Sequence, residues 1–218
     1  MTLLASTEDF GTLPSVCVTD TPEGLSVIQS PECAASIWQR RPLPSFQKWI
    51  DALAPDQLPD ARVILRPEQV RDVVAGVCDA HGTPDCLERD LLTDDVAALA
   101  DIFAKLMETS FIRLRLDVIN TNACCRFHMD AITARLICTY RGPGTQYGIS
   151  GGMAEPSQIF TTATGAAILL RGKLWPERPR SGLLHRSPPV KDTGLTRLVL
   201  VLDPIADPDD ETGEMVLH

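Results

Sequence analysis

Two periodicities divide the chain. Between residues 43 and 110 apolar side chains recur at helical spacing, and beyond Phe111 they alternate. Phe46, Trp49, Ile50 and Leu53 share one helical face, and Pro55 closes that run. Val70, Val73, Val74 and Val77 stand at i, i+3, i+4 and i+7. Pro67 lies where a first helical turn tolerates it, and Gly82 where a helix stops. A third helix is expected to begin at Thr93, with Asp94 and Asp95 at its positive end and Val96, Leu99, Ala100, Phe103 and Leu106 as its apolar stripe. Residues 1–42, rich in Ser, Thr and Pro without a period, read as an irregular arm.

In the second half, FIRLRLDVI alternates apolar and charged residues, the mark of a strand with one buried face. ITARLICTY, GAAILL, SGLLH and TRLVLVL are further strand candidates, separated by turn signals such as NTNA and RGPG. Several short strands with Gly/Pro turns point to an all-β sandwich or jelly roll. The expected architecture is therefore α+β, a helical N-terminal half packed on a C-terminal jelly roll. Its parts are the arm at 1–42, helical support at 43–110, a strand-rich core at 111–203 and an acidic tail at 204–218.

The 218 residues suit one large domain. No apolar stretch approaches the ~20 residues of a bilayer span, so no membrane role is expected. MTLLASTEDF lacks a basic n-region, which predicts a cytoplasmic chain rather than an exported one. Seven cysteines, an odd number without a C-x-x-C pair, agree with a reducing compartment. A net charge of −9 argues against general nucleic-acid binding. Its distribution changes the picture. Residues 1–110 hold 8 Lys/Arg against 18 Asp/Glu, residues 111–197 hold 12 against 5, and residues 198–218 hold none against 6. Ten of the 12 basic residues in the middle block are Arg, the side chain suited to two-pronged binding of carboxylate or phosphate.

The candidate chemistry lies in that block. In CRFHMD, His128 and Asp130 are two residues apart and share a face if the segment is extended. His185 ends the SGLLH strand. Two imidazoles and a carboxylate form the facial triad that suits non-haem Fe(II) and leaves coordination positions open. Arg197 follows His185 by 12 residues, on the next predicted strand. A salt bridge from Arg197 to Asp117 or Asp203 is the competing reading of that residue.

This order of His, Asp, His and Arg resembles the Fe(II)/2-oxoglutarate-dependent dioxygenases, in particular the prolyl-hydroxylase-like branch. RLRLDVINTNACCRFHMD and HRSPPVKDTGLTRLVLVLD are the segments that carry the likeness. The resemblance implies a double-stranded β-helix of cupin type, with His128, Asp130 and His185 as metal ligands. It implies Arg197 as the anchor of 2-oxoglutarate, and Tyr140 of LICTYRG as a further hydrogen-bond donor to that co-substrate. CRFHMD, RLICTYRGPGTQY, GAAILLRGKLWP and GLLHRSPPV together also resemble a bacterial domain-of-unknown-function family, number 1826, which points to metal homeostasis. The function so implied is an Fe(II)/2-oxoglutarate-dependent oxygenase acting on an unknown substrate. The alternative is a non-catalytic zinc-binding protein on the same scaffold, with Cys125, His128, His185 and Asp130 closing a four-coordinate site. Arg171, Arg178, Arg180 and Arg186 would make the mouth of the site positive and favour an anionic substrate. Trp175 would wall a pocket or cap the core.

Overall fold

The computed structural model describes residues 16–150, 155–176 and 182–207. Its centre is a seven-stranded sheet in the order β1-β2-β8-β5-β10-β4-β3. These strands are β1 (Val16–Thr19), β2 (Ala35–Trp38), β3 (Ala61–Leu65), β4 (Phe111–Ile119), β5 (Ala134–Arg141), β8 (Ala167–Arg171) and β10 (Arg197–Ile205). All neighbours are antiparallel except β1 and β2. A second sheet joins β6 (Gln146–Ile149), β7 (Phe160–Thr161) and β9 (Leu183–Arg186) in the order β7-β6-β9.

Alternation along the strands gives the large sheet two apolar faces. One carries Ile112, Leu114, Leu116, Leu136, Leu198, Leu200 and Leu202, which pack into the main core with the helices. These are α1 (Pro44–Ala52), α2 (Val70–Ala80) and α3 (Leu87–Met107). The other face carries Ile137, Ile168, Val199 and Val201, which meet Tyr147 and Leu183 of the small sheet. Helices thus cover one side of the large sheet and the small sheet covers part of the other, a layered arrangement that buries both faces.

The helices around Phe46 and Val70 and the five strands expected beyond Phe111 all form. Three differences concern the N-terminal half. Within the expected irregular arm, β1 and β2 form and join the large sheet through β8. The helical support region also contributes β3, which pairs with β4, so this half supplies three strands as well as helices. The third helix starts at Leu87 rather than Thr93, with Glu88 and Asp90 in its first turn. Asp94 and Asp95 instead sit inside it and pair with Arg71 and Arg40. Most of the expected acidic tail, from residue 208 on, lies outside the described residues.

Candidate metal centre

The two histidines are joined through their backbones. The His128 N–H donates to the His185 carbonyl at 3.0 Å, and the His185 N–H returns the bond to His128 at 2.9 Å. This closed antiparallel pair puts both side chains on one side of the ladder, with ring centroids 4.6 Å apart. Asp130 follows two residues after His128, and ligand atoms of the three side chains all lie within 4.8 Å of one another. His128 Nδ1 is 2.8 Å from the Arg126 carbonyl. A proton on Nδ1 donated there leaves the Nε2 lone pair free for a metal.

Asp130 is held from both sides. Arg135 Nη1 donates to its Oδ1 at 2.6 Å, while Nε and Nη2 of Arg135 grip buried Asp203 at 2.7 and 2.8 Å. Oδ2 of Asp130 is buried and makes no hydrogen bond, although His185 Nε2 lies 3.1 Å away. The two atoms are close without being aligned on each other, which is the geometry of donors directed at a common third point. Burial works against the Asp130 charge, but its contacts with His128 and His185 and the Arg135 charge hold the carboxyl well below the usual range. Contact with Asp130 raises the pKa of His128. Burial lowers that of His185, which favours the neutral, ligating form. Two neutral-capable imidazoles, one ionised carboxylate and an orphaned buried oxygen fit a divalent metal of the non-haem iron type.

Arg197 is 1% exposed and makes no ion pair among the described residues. Its Nε donates to Pro143 O at 2.7 Å, Nη1 to Ser187 Oγ at 2.9 Å and Nη2 to Thr139 Oγ1 at 3.3 Å. Asp203 is taken by Arg135, and Asp117 is nearest Arg115. Three of the five guanidinium protons are thus used on neutral oxygens, leaving one on each terminal nitrogen, the pair that forms a fork on a carboxylate. Burial lowers its pKa to about 10, still cationic at neutral pH. Gly142 makes room for it. With φ +78° it adopts a conformation suited to glycine, and a Cβ there would stand 2.9 Å from Arg197 Cγ.

Arg197 and the triad line one cavity of about 380 Å³. Its floor is the second face of β4, β10 and β5, where Arg115, Asp117 and Ile119 face Val201, Val199 and Arg197 across the ladder. Ser187, which touches Arg197, is two residues from His185, about 6.6 Å along a strand. That is the length scale of a five-carbon dicarboxylate.

The family described as a protein of unknown function, DUF1826, matches residues 19–203. The chain belongs to the DUF1826 family. Among solved structures it is similar to dioxygenase for auxin oxidation 1 from Arabidopsis thaliana in its complex with 2-oxoglutarate. The TM-score is 0.54 at 8% identity, over 90% of this chain and 94% of that one. A rice dioxygenase for auxin oxidation gives 0.46 at 12% identity, over 89% and 84%. The full-length Neurospora crassa T7H in complex with alpha-KG gives 0.44 at 11% identity, over 94% and 88%. The first likeness shows that this DUF1826 chain has the jelly-roll fold of the 2-oxoglutarate dioxygenases. No curated protein matches it.

Not every expected residue of this DUF1826 chain reaches the cavity. Tyr140 does not: its hydroxyl donates to Asp95 at 2.7 Å on the helix side of the sheet, beside a separate cavity of about 180 Å³. The cause is alternation along β5: Ala134, Leu136, Cys138 and Tyr140 all face the helices, and Thr139, on the opposite face, is the residue that bonds Arg197. Cys125 does not join the His–Asp–His cluster. Arg171 is turned to the carbonyls of Ile28 and Ser30, and Trp175 beneath it packs on the main core. Arg186 lines the cavity, stacked over Phe127 and bonded to Gln146. Arg178 and Arg180 lie outside the described residues. The residues missed are Arg115, Arg135, Thr139, Ser187 and Asp203. Their signal lay in the polar positions of alternating strands, which read as a solvated face.

Proposed function

We propose that this DUF1826 chain is an Fe(II)/2-oxoglutarate-dependent oxygenase that hydroxylates a small-molecule substrate. The observation that carries the reading is Arg197, a buried guanidinium bonded only to neutral oxygens, in the same cavity as the His128–Asp130–His185 cluster. The Asp117 carboxylate acts on Arg197 only at a distance, without a hydrogen bond between them, and a dicarboxylate would supply a directly paired counter-charge.

In this reading His128, Asp130 and His185 would hold the metal, a ligand set that leaves coordination positions open. Iron held there supplies oxygen activation coupled to oxidative decarboxylation of 2-oxoglutarate to succinate and carbon dioxide. Arg197 orients the distal carboxylate of the co-substrate, and Ser187 and Thr139 fix the guanidinium plane. Arg135 neutralises Asp203 and steadies Asp130, so the metal-facing oxygen stays ionised. Val199, Val201 and Ile137 give the cavity floor an apolar strip. The closed zinc site with Cys125 has no such support, because the cluster lacks Cys125 and opens on a cavity.

The test is anaerobic loading with Fe(II), followed by oxygen and measurement of succinate from 2-oxoglutarate. Wild type is expected to bind one metal per chain and 2-oxoglutarate. His128→Ala should lose the metal, and Arg197→Gln should keep the metal while losing 2-oxoglutarate at least about tenfold. Zinc retention with no 2-oxoglutarate affinity in wild type overturns the reading.

A further inference from the structure

RGKLW, the end of the GAAILLRGKLWP motif, follows β8 and has no part in the chemistry above. Its backbone runs against the stretch that carries Asp130. Ala134 and Arg171 are the last ladder pair between β5 and β8. Beyond that pair, residues 129–133 belong to no strand or helix, so the third member of the metal cluster lacks the ladder that fixes the two histidines. The backbone of residues 172–174 holds it instead. The Gly172 N–H donates to the Thr133 carbonyl at 2.8 Å and the Leu174 N–H to that of Ile132 at 3.1 Å. The Lys173 N–H donates to the carbonyl of Asp130 itself at 2.8 Å, while the Lys173 side chain is exposed.

The approach is close enough to require glycine. A Cβ on residue 172 would stand 1.9 Å from the Ile132 carbonyl oxygen and 3.1 Å from that of Asp130. Both oxygens already accept hydrogen bonds, so the clash is with pinned backbone rather than with a side chain that can rotate away. Clearing 3.0 Å means a shift of about 1 Å, several times the ~0.2 Å within which metal–ligand distances are held. The Asp130 carboxylate cannot follow freely, because Arg135 Nη1 holds its Oδ1 at 2.6 Å.

The segment is itself anchored at both ends. Arg171 donates from Nε and Nη2 to the Ile28 carbonyl at 3.0 and 2.6 Å, and from Nη2 to that of Ser30 at 2.8 Å. Its guanidinium lies 4.6 Å over the Trp175 ring, and Trp175 packs on the main core. The Trp175 N–H closes a turn on the Gly172 carbonyl at 3.3 Å, with Lys173 as the second residue of that turn.

From this juxtaposition we infer that Gly172 and the Lys173 N–H are positioning elements of the metal centre, fixing the backbone of Asp130 so that its carboxylate stays beside the two histidines. The inference rests on the metal-centre reading and is independent of 2-oxoglutarate.

In the test, the full chain, freed of metal, is titrated with Co(II), whose visible absorption reports the ligand set. Lys173→Pro removes the N–H that Asp130 accepts, at a turn position that accommodates proline. Lys173→Ala keeps that N–H. Gly172→Ala introduces the clash, and Gly165→Ala is its control, because a Cβ there would stand 2.4 Å from the Pro42 ring on the helix side of the sheet. Lys173→Pro and Gly172→Ala are expected to bind Co(II) about tenfold more weakly, with an altered visible spectrum at saturation. Lys173→Ala and Gly165→Ala should stay within about twofold of wild type. Circular dichroism and urea midpoints are measured alongside, since a purely structural role lowers the midpoint and leaves Co(II) affinity alone. Wild-type affinity and spectrum in either folded variant, Lys173→Pro or Gly172→Ala, overturns the inference, as does an equal loss of affinity in Gly165→Ala. Where Gly172→Ala does not fold, Lys173→Pro against Lys173→Ala decides alone. Failure of wild type to bind Co(II), Fe(II) or Zn(II) strikes the metal centre itself and removes the inference with it.

Discussion

Arg135 holds Asp203 with two hydrogen bonds of 2.7 and 2.8 Å and uses its remaining terminal nitrogen to hold Asp130 at 2.6 Å. Asp203 is 1% exposed, while Arg135 and Asp130 are partly buried where they line the cavity. Asp203→Asn removes the charge that orients Arg135 and should weaken metal binding by about ten- to a hundredfold, as outer partners of metal ligands do. Metal titration with circular dichroism as a fold control checks this. Arg135→Met leaves two carboxylates buried without their cation and should cost about 3–5 kcal/mol in urea unfolding.

Gly142→Ala tests the seat of Arg197. The left-handed backbone costs a non-glycine residue about 1–2 kcal/mol, and the new Cβ would stand 2.9 Å from Arg197 Cγ. The expected result is a lowered unfolding midpoint together with at least a threefold loss of 2-oxoglutarate affinity and unchanged metal content. Loss of stability with unchanged 2-oxoglutarate affinity would show that Arg197 does not depend on this turn.

Tyr140→Phe should do the reverse. The hydroxyl bonds Asp95 behind the sheet, so its loss costs about 1.5–3 kcal/mol of stability. Metal and 2-oxoglutarate affinities should stay within twofold of wild type, measured on the same preparation.

The thiols should divide by burial. Burial pushes Cys33 up to about 12 and Cys138 up to about 11, and both are buried, whereas Cys124 is exposed at the cavity. Iodoacetamide at pH 8 should modify Cys124 in the native protein and reach Cys33, Cys78 and Cys138 only after unfolding, as mass spectrometry of peptides would report.

Much of the strand-rich half was legible because FIRLRLDVI alternates, with Ile112, Leu114 and Leu116 facing the helices, and TRLVLVL is a short continuous apolar run buried on both faces. The H-x-D spacing and the later His and Arg were visible for the same reason: short spacings on extended chain fix a common face. Tyr140 was placed at the site by the resemblance alone, against an alternation that puts it on the helix face with Leu136 and Cys138. Arg115 and Arg135 stayed hidden because a polar strand face looks alike whether it meets solvent or floors a cavity. The strands β1 and β2 have four residues each and are joined by a 3-10 helix rather than a tight turn, so no local pattern marks their parallel pairing.

The reciprocal backbone bonds between His128 and His185 have a thermodynamic consequence. Two ligands are fixed by the ladder and the third by Arg135, so little of the site remains to be ordered when a metal arrives. Metal loading should therefore stabilise the chain by mass action alone, about 2.7 kcal/mol at a hundredfold excess over Kd, with no gain of secondary structure. Synthesis and metallation become separable events: the polypeptide can fold in the absence of metal and be charged later, reversibly, by whatever ion supply the cell maintains.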